Sequence, residues 1–537
     1  MQERFNKTLT LLFQYFKRDW LKIILWILGI GLFSAGFGPA FEEIAKGQGL
    51  QGMYETMQNP AMVAMVGPTP IESATDYTIG AMYANEMLLF CSLFSLIIAA
   101  LHVINHTRKE EDLGLTELVR SFQVGRQANS LATIIEIVLI NGLLMLFISG
   151  VMLSFNVDSI SLEGIFIFGA SIAMAGILGG AVALIMAQLL PNSSGTIGAS
   201  LGIMGLLYII RAGTDVSNAN LSLFNPLSWS YLTYPFTENN WSFIIYSALF
   251  SFVAVFIAFI LEGKRDMDRG YLPEKEGRAH AKKSLLSVHG LFSKINKGMI
   301  ISWLIAFVVM GVAYGSIYGD MNSFIESNEL IQQMFTASNT TLEESFTSTI
   351  MLVMIFLVAI LPISIVNKLF TVEKQQYLSQ LFSTKISRAQ FYWTTVSLAV
   401  FSSLIGILLA AAGLGSTAII SMNNSSTMDL VDFLAAGFNF FPATLFYTGL
   451  SCLLLGWVPK WGKVVYIYLG YSFVLSYFGN IVDLPDWFFN TSVENWLAHL
   501  PTDDFDLSVF LIISFLSLLL IFSGFLGYKR RDLVVGT

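Results

Sequence analysis

"NHTRKEEDLGLTELVRSFQVGRQ", residues 105–127, stands between two long apolar runs where a turn of a few residues would join two helices. Shifting the chain by 262 residues lays "VINHTRKEEDLGLTELVRSFQVGRQ" on "IVNKLFTVEKQQYLSQLFSTKISRA" without a gap, pairing Asn105 with Asn367, Glu111 with Glu373, Ser121 with Ser383 and Arg126 with Arg388. Both copies place apolar residues at helical spacing between flanking charges: Leu113, Leu115, Leu118 and Phe122 in the first, Tyr377, Leu378, Leu381 and Phe382 in the second. A short amphipathic segment present twice, at 107–127 and 369–389, suits a pair of docking elements for a symmetric partner.

The surroundings of the two copies set the class. Hydrophobic residues make up 55% of the chain and charged ones 12%, with a mean hydropathy of +0.66; soluble domains carry roughly 25% charge. Apolar runs near 20–40, 80–105, 129–155, 164–190, 196–212, 241–261, 299–318, 347–367, 392–413, 433–457, 464–482 and 507–527 approach or exceed the roughly 20 residues that cross a bilayer as a helix. They are continuous rather than alternating, which excludes a β-barrel. The expected fold is an all-α polytopic membrane protein of twelve spans in two parallel halves of six. The first half is 1–262, opened by an amphipathic surface helix in "MQERFNKTLTLLFQYFKRDW"; 263–298 is a linker; the second half is 299–537.

Charge sidedness orients the chain. All of the 29 Lys and Arg residues except Lys46 and Arg211 fall at the ends or in alternate connections on one side, which the positive-inside rule makes cytoplasmic. Both termini are therefore expected in the cytoplasm. The net charge of −8 conceals this sidedness and gives no reason to expect a nucleic-acid partner. Cys91 and Cys452 sit in apolar runs, and the five His residues show no ligand spacing, so no metal is expected. A phosphate-cradling G-x-x-x-x-G-K-[ST] loop is absent; "GWVPKWGKV" at 456–464 has one residue too many and ends in Val.

The segments "EEDLGLTELVRSFQVGR", "LSLFNPLSWSYLTYPFTENNW" at 221–241 and "GWVPKWGKVVYIYLGYSFVLSYFGNIVDLPDWF" at 456–488 resemble the permease subunits of bacterial ABC exporters for polyketide and polyether antibiotics, the tetronasin and narasin type. The resemblance runs over nearly the whole chain. It implies a type-2 ABC exporter fold, a separate ATPase subunit docking as a homodimer and binding the ATP and Mg, no cofactor on this chain, and efflux of a lipophilic drug. It implies further that the segments after spans 2 and 8 are coupling helices, carried by Glu110, Glu111, Leu115, Glu117, Leu118, Arg120 and Arg126 in the first and Glu373, Tyr377, Leu381 and Arg388 in the second. The second copy lacks the acidic cluster Glu110, Glu111, Asp112, which puts the equivalence of the two surfaces in question.

Two intramembrane acids break the repeat. Glu86 and Glu136 face Ser348 and Leu398 at the matching positions. Glu86, near the outer end, is the gate candidate, and Glu136 is expected to be a structural group bonded to a neighbouring Asn or Ser. An apolar substrate wall is expected from Phe90, Met204, Tyr208, Tyr471, Tyr477 and Phe478. Two other classes fit parts of the pattern. A major-facilitator-like drug carrier shares twelve spans in two halves but needs no amphipathic segment after spans 2 and 8. A polytopic enzyme would have to use the outer cluster His499, Asp503, Asp504 and Asp506.

Overall fold

The computed structural model describes residues 2–47, 49–155, 157–267, 269–273, 279–320, 341–383, 386–422, 428–478 and 485–532. They are helical, with no strand among the described residues. Eleven of the described helices are long and apolar enough to cross a membrane, and the chain is a multi-pass membrane protein. The twelfth expected span is a described helix of 15 residues, Val464–Phe478, and the rest of that run lies outside the described residues.

Two compact units divide the chain between residues 277 and 278. The first contains α1 (Thr8–Ala35), α2 (Ile79–His106), α3 (Ala128–Met152), α4 (Leu162–Leu189), α5 (Ser193–Ser217) and α6 (Ser242–Lys264). The second contains α7 (Val288–Ser316), α8 (Leu342–Lys374), α9 (Arg388–Ser421), α10 (Phe441–Trp457), α11 (Val464–Phe478) and α12 (Leu507–Arg530). Starts are set locally. Thr78, Ser161, Asn192, Ser287, Thr341, Ser387 and Asp506 each accept a backbone N–H of the first turn from their side chain, satisfying donors that lipid cannot.

Small residues decide which helices touch. α4, with the stretch "GASIAMAGILGGAVA", is the hub of the first unit and packs against α2, α3, α5 and α6. Gly179 lies against the Leu96 carbonyl of α2, and Gly176 sits beside the buried pair in which Ser95 donates to Asn141 Oδ1 at 3.1 Å. Lipid tails are as apolar as leucine, so membrane helices gain contact through close backbone approach rather than through hydrophobic exclusion. In the second unit α10 has the central place, against α8, α9, α11 and α12. Gly449 and Gly456 there meet the backbone of α12 at Ser517 and Gly524. The first unit sets α1 on α3, α2 on α4 and α4 on α6, and the second sets α7 on α9, α8 on α10 and α10 on α12.

Several sequence expectations are revised. The stretch expected to form a surface helix is a 3-10 turn at Gln2–Phe5 followed by α1, which runs unbroken from Thr8 to Ala35, with the buried Asp19 paired with Arg18 and Lys22. The expected linker 263–298 is shorter, since α7 begins at Val288, where the Ser287 cap and buried Val288, Phe292 and Asn296 on one face extend it. Residues 274–278 of it lie outside the described residues. The run 433–457 is divided into Leu430–Asn439 and α10, with Pro442 in the first turn of the second piece, where its missing N–H costs nothing. Short helices Gly38–Ile44, Gly49–Met57 and Pro60–Val66, unforeseen in the sequence, fill the connection between α1 and α2.

The glycine packing predicts a contrast. Gly179→Ala should lower the detergent melting temperature and the yield of folded protein, because its Cβ would overlap the Leu96 carbonyl, an overpacking cost of about 1–3 kcal/mol. Gly142→Ala, with nothing within 4 Å of the new methyl, should leave both unchanged or improved.

Candidate functional site

The repeated segments stand at the ends of the long helices that carry most of the basic residues. After α2 the backbone forms two short helices, Arg108–Asp112 and Leu115–Arg120, separated at Gly114, whose φ of 70° favours glycine. The single helix expected over 107–127 is thus two short pieces, with 121–127 outside them. Its apolar residues face outward: Leu113, Leu115, Leu118 and Phe122 are all exposed, Leu118 at 61% and Phe122 at 65%. Glu117 is exposed beside them.

Several of the other charged residues assigned to docking make bonds within the unit. Glu111 accepts both Nη atoms of Arg265, each at 2.8 Å, and one from Arg108 at 3.0 Å. Arg265 is the C-cap residue of α6 and also donates from Nε to Gln188 Oε1 of α4 at 2.9 Å. Arg126 donates to the Arg265 carbonyl, and Arg120 to the Arg126 carbonyl at 2.9 Å. Glu110 is buried and paired with Arg18 of α1 at 2.7 Å. These groups tie α1, α2, α4 and α6 together; they are braces within the unit.

The second unit repeats the brace. Glu373, in the last turn of α8, accepts Arg531 Nη1 at 2.5 Å and Nη2 at 2.6 Å. Arg531 is the C-cap residue of α12 and donates from Nε to the Leu455 carbonyl of α10 at 3.1 Å; Arg388 donates to the Arg531 carbonyl at 2.6 Å. Its apolar residues behave differently. Leu378 is buried, and Leu381 and Phe382 pack on the core of the unit. The segment expected over 369–389 gives its first six residues to α8 and then forms Tyr377–Phe382. The Tyr377 side chain and residues 384–385 lie outside the described residues. Among the described residues, only the first copy presents an apolar surface.

The expected substrate-path residues are dispersed. One carboxylate oxygen of Glu86 is enclosed without a hydrogen-bond partner, and Phe90 packs against the first unit's core. Met204 is buried, while Tyr208 donates to the Met65 carbonyl at 3.0 Å and lies under the Arg211 guanidinium at 4.5 Å. Arg211 pairs with Asp215 at 3.0 Å and donates to Met65 O at 2.9 Å, holding helix Pro60–Val66 on α5. In the second unit Tyr471 is exposed and bonded to Thr491 Oγ1 at 2.8 Å; the Tyr477 and Phe478 side chains lie outside the described residues. The outer acids serve the backbone: Asp503 accepts His499 N–H at 2.8 Å, and Asp506 caps α12.

Glu136 is fully buried, but its partner is His102 of α2, Nε2 to Oε2 at 3.1 Å, instead of an Asn or Ser. The sequence reading also overlooked Glu494, a fully buried acid accepting from Ser492 Oγ at 2.7 Å, whose carboxyl burial pushes upward. A lone Glu in a polar loop carries no periodic signal of burial.

Comparison with known proteins places this geometry in context. Residues 285–529, most of the second unit, match the family described as "Multidrug efflux system permease Rv1217c, C-terminal domain". The chain is also similar to the multidrug efflux system permease protein Rv1217c of Mycobacterium tuberculosis (strain ATCC 25618 / H37Rv), with 24% identity over 545 residues, 98% of this chain and 95% of the relative.

The braces yield a test of role. Glu111→Gln and Glu373→Gln should each lower the detergent melting temperature, since breaking a buried ion pair leaves its arginine unpaired at a cost of about 3–5 kcal/mol. Glu117→Gln, at an exposed position, should not.

Proposed function

We propose that this chain is the membrane subunit of an ATP-driven efflux pump in a bacterial plasma membrane, exporting a lipophilic drug of the polyether or polyketide kind. Both termini and the basic helix ends lie in the cytoplasm, and a separate ATPase, acting as a homodimer and carrying the ATP and Mg, docks there. End-to-end similarity to a multidrug efflux permease supports the transport class. The observation that carries the coupling is the row Leu113, Leu115, Leu118 and Phe122, all of them exposed. Exposed apolar side chains beside charges mark a protein contact.

Closure of the ATPase dimer on ATP would push this segment. Because Glu110 and Glu111 lock it to α1 and α6, the push reaches three helices as one body. That rigidity lets a contact outside the membrane bias the spans between inward- and outward-open states. The second segment, whose leucines are packed inward, makes a different contact, so the two ATPase subunits are engaged unequally.

Co-expression with the ATPase encoded beside it tests this reading. Leu118→Asp should abolish co-purification of the ATPase and drug-stimulated ATP hydrolysis while the melting temperature stays within a few degrees of the parent, because the side chain is exposed. Retention of both activities would refute the docking assignment. Impermeant thiol reagents applied to intact cells should label Asn490→Cys and leave Glu117→Cys unlabelled; the reverse pattern would invert the topology.

A further inference from the structure

Histidines 102 and 106 are four apart on α2 and so share one of its faces. Their rings stack at 4.3 Å, and Glu136 of α3 stands opposite. One donor atom from each of the three lies within 4.8 Å of the others. We propose that His102, His106 and Glu136 form a binding site for a divalent transition metal of the zinc class, independent of how transport is driven.

Donor chemistry comes first. Two imidazoles and a carboxylate are a recurrent ligand set for zinc and its neighbours, and three protein ligands leave a position for water. Tetrahedral coordination with bonds of about 2.1 Å needs donors about 3.4 Å apart. The three donors lie within 4.8 Å of one another, so coordination would draw them closer.

Charge supplies a second argument. Around the cluster Arg18 and Lys22 of α1 are opposed by Asp19, Glu110 and Glu136, two cations against three carboxylates. Glu136 is fully buried and its Oε1 has no hydrogen-bond partner. A buried carboxyl oxygen left without a partner is costly, and a bound cation would complete it.

The supporting shell is also in place. His106 Nε2 lies 3.2 Å from Asp19 Oδ2, itself buried, the carboxylate–histidine arrangement that fixes the tautomer of a metal ligand and frees the other nitrogen. That nitrogen, Nδ1, accepts Arg18 Nη2 at 2.6 Å. The Arg18 side chain is 49% exposed, so the guanidinium can leave this lone pair for solvent and be replaced by the metal. At the positions 262 residues on stand Ser364, Lys368 and Leu398, which cannot form the same set. Among the described residues this is the one such cluster.

Full-length protein purified without a polyhistidine tag, stripped with chelator and titrated with Co²⁺ and Zn²⁺ tests the assignment. One equivalent should bind, raising the melting temperature and giving the visible absorption of four-coordinate Co²⁺. His102→Ala and Glu136→Gln should weaken binding at least about tenfold, and Arg18→Gln, which removes the competing cation, should tighten it. His499→Ala should change nothing. Wild-type protein that binds no equivalent of either ion, or binding that survives His102→Ala and is weakened by Arg18→Gln, would overturn the site. The wild-type stoichiometry decides even if a variant fails to fold.

Discussion

Each unit depends on one glutamate at the end of its second helix gripping one arginine at the end of its sixth. Glu111 with Arg265 and Glu373 with Arg531 are two-pronged pairs, each with a further hydrogen bond from the arginine Nε to the fourth helix of the unit. A helix end in a membrane protein leaves carbonyls without partners. The arginine stands at the C-cap and brings a charge that must itself be neutralised. The glutamate does so only where the second helix ends at the same depth. The pair consequently fixes where both helices stop relative to each other, and with them the segment that projects from the second helix.

Packing within the apolar layer follows a different rule. There the hub helices α4 and α10 come close to their neighbours through Gly176, Gly179, Gly449 and Gly456, which bring backbones together where a larger side chain would hold them apart. Shape chooses the neighbours, and the ion pairs set the vertical register. The segment 107–120 inherits a fixed position from both, which is what allows Leu115 and Leu118 to remain exposed on a rigid base.

Much of this was legible in the linear chain. Apolar run length located the spans because hydrocarbon accepts only continuous apolar helices. The correspondence of Glu111 with Glu373 and of Arg126 with Arg388 was also visible, and each pair has the same bonding in its own unit. Their role was not. A glutamate in an amphipathic segment reads as solvated or docking, since its partner, Arg265, lies 154 positions away and nothing local announces it. The packing of Leu381 against the core was not legible for a related reason: helical spacing defines a face but not whether the core or a partner covers it.

The amino-acid sequence by itself determined the class, a polytopic helical protein with two related segments, because hydropathy acts residue by residue against a bilayer of set thickness. Tertiary structure alone decided which charges are spent inside. The spacing of four puts His102 and His106 on one face of α2, but nothing in it pointed to a third ligand until α3 brought Glu136, and α1 brought Arg18 and Asp19, to that face. The convergence of donors from three helices depends on crossing and register, and those arise from side chains far apart in the chain meeting at distances that no local pattern encodes.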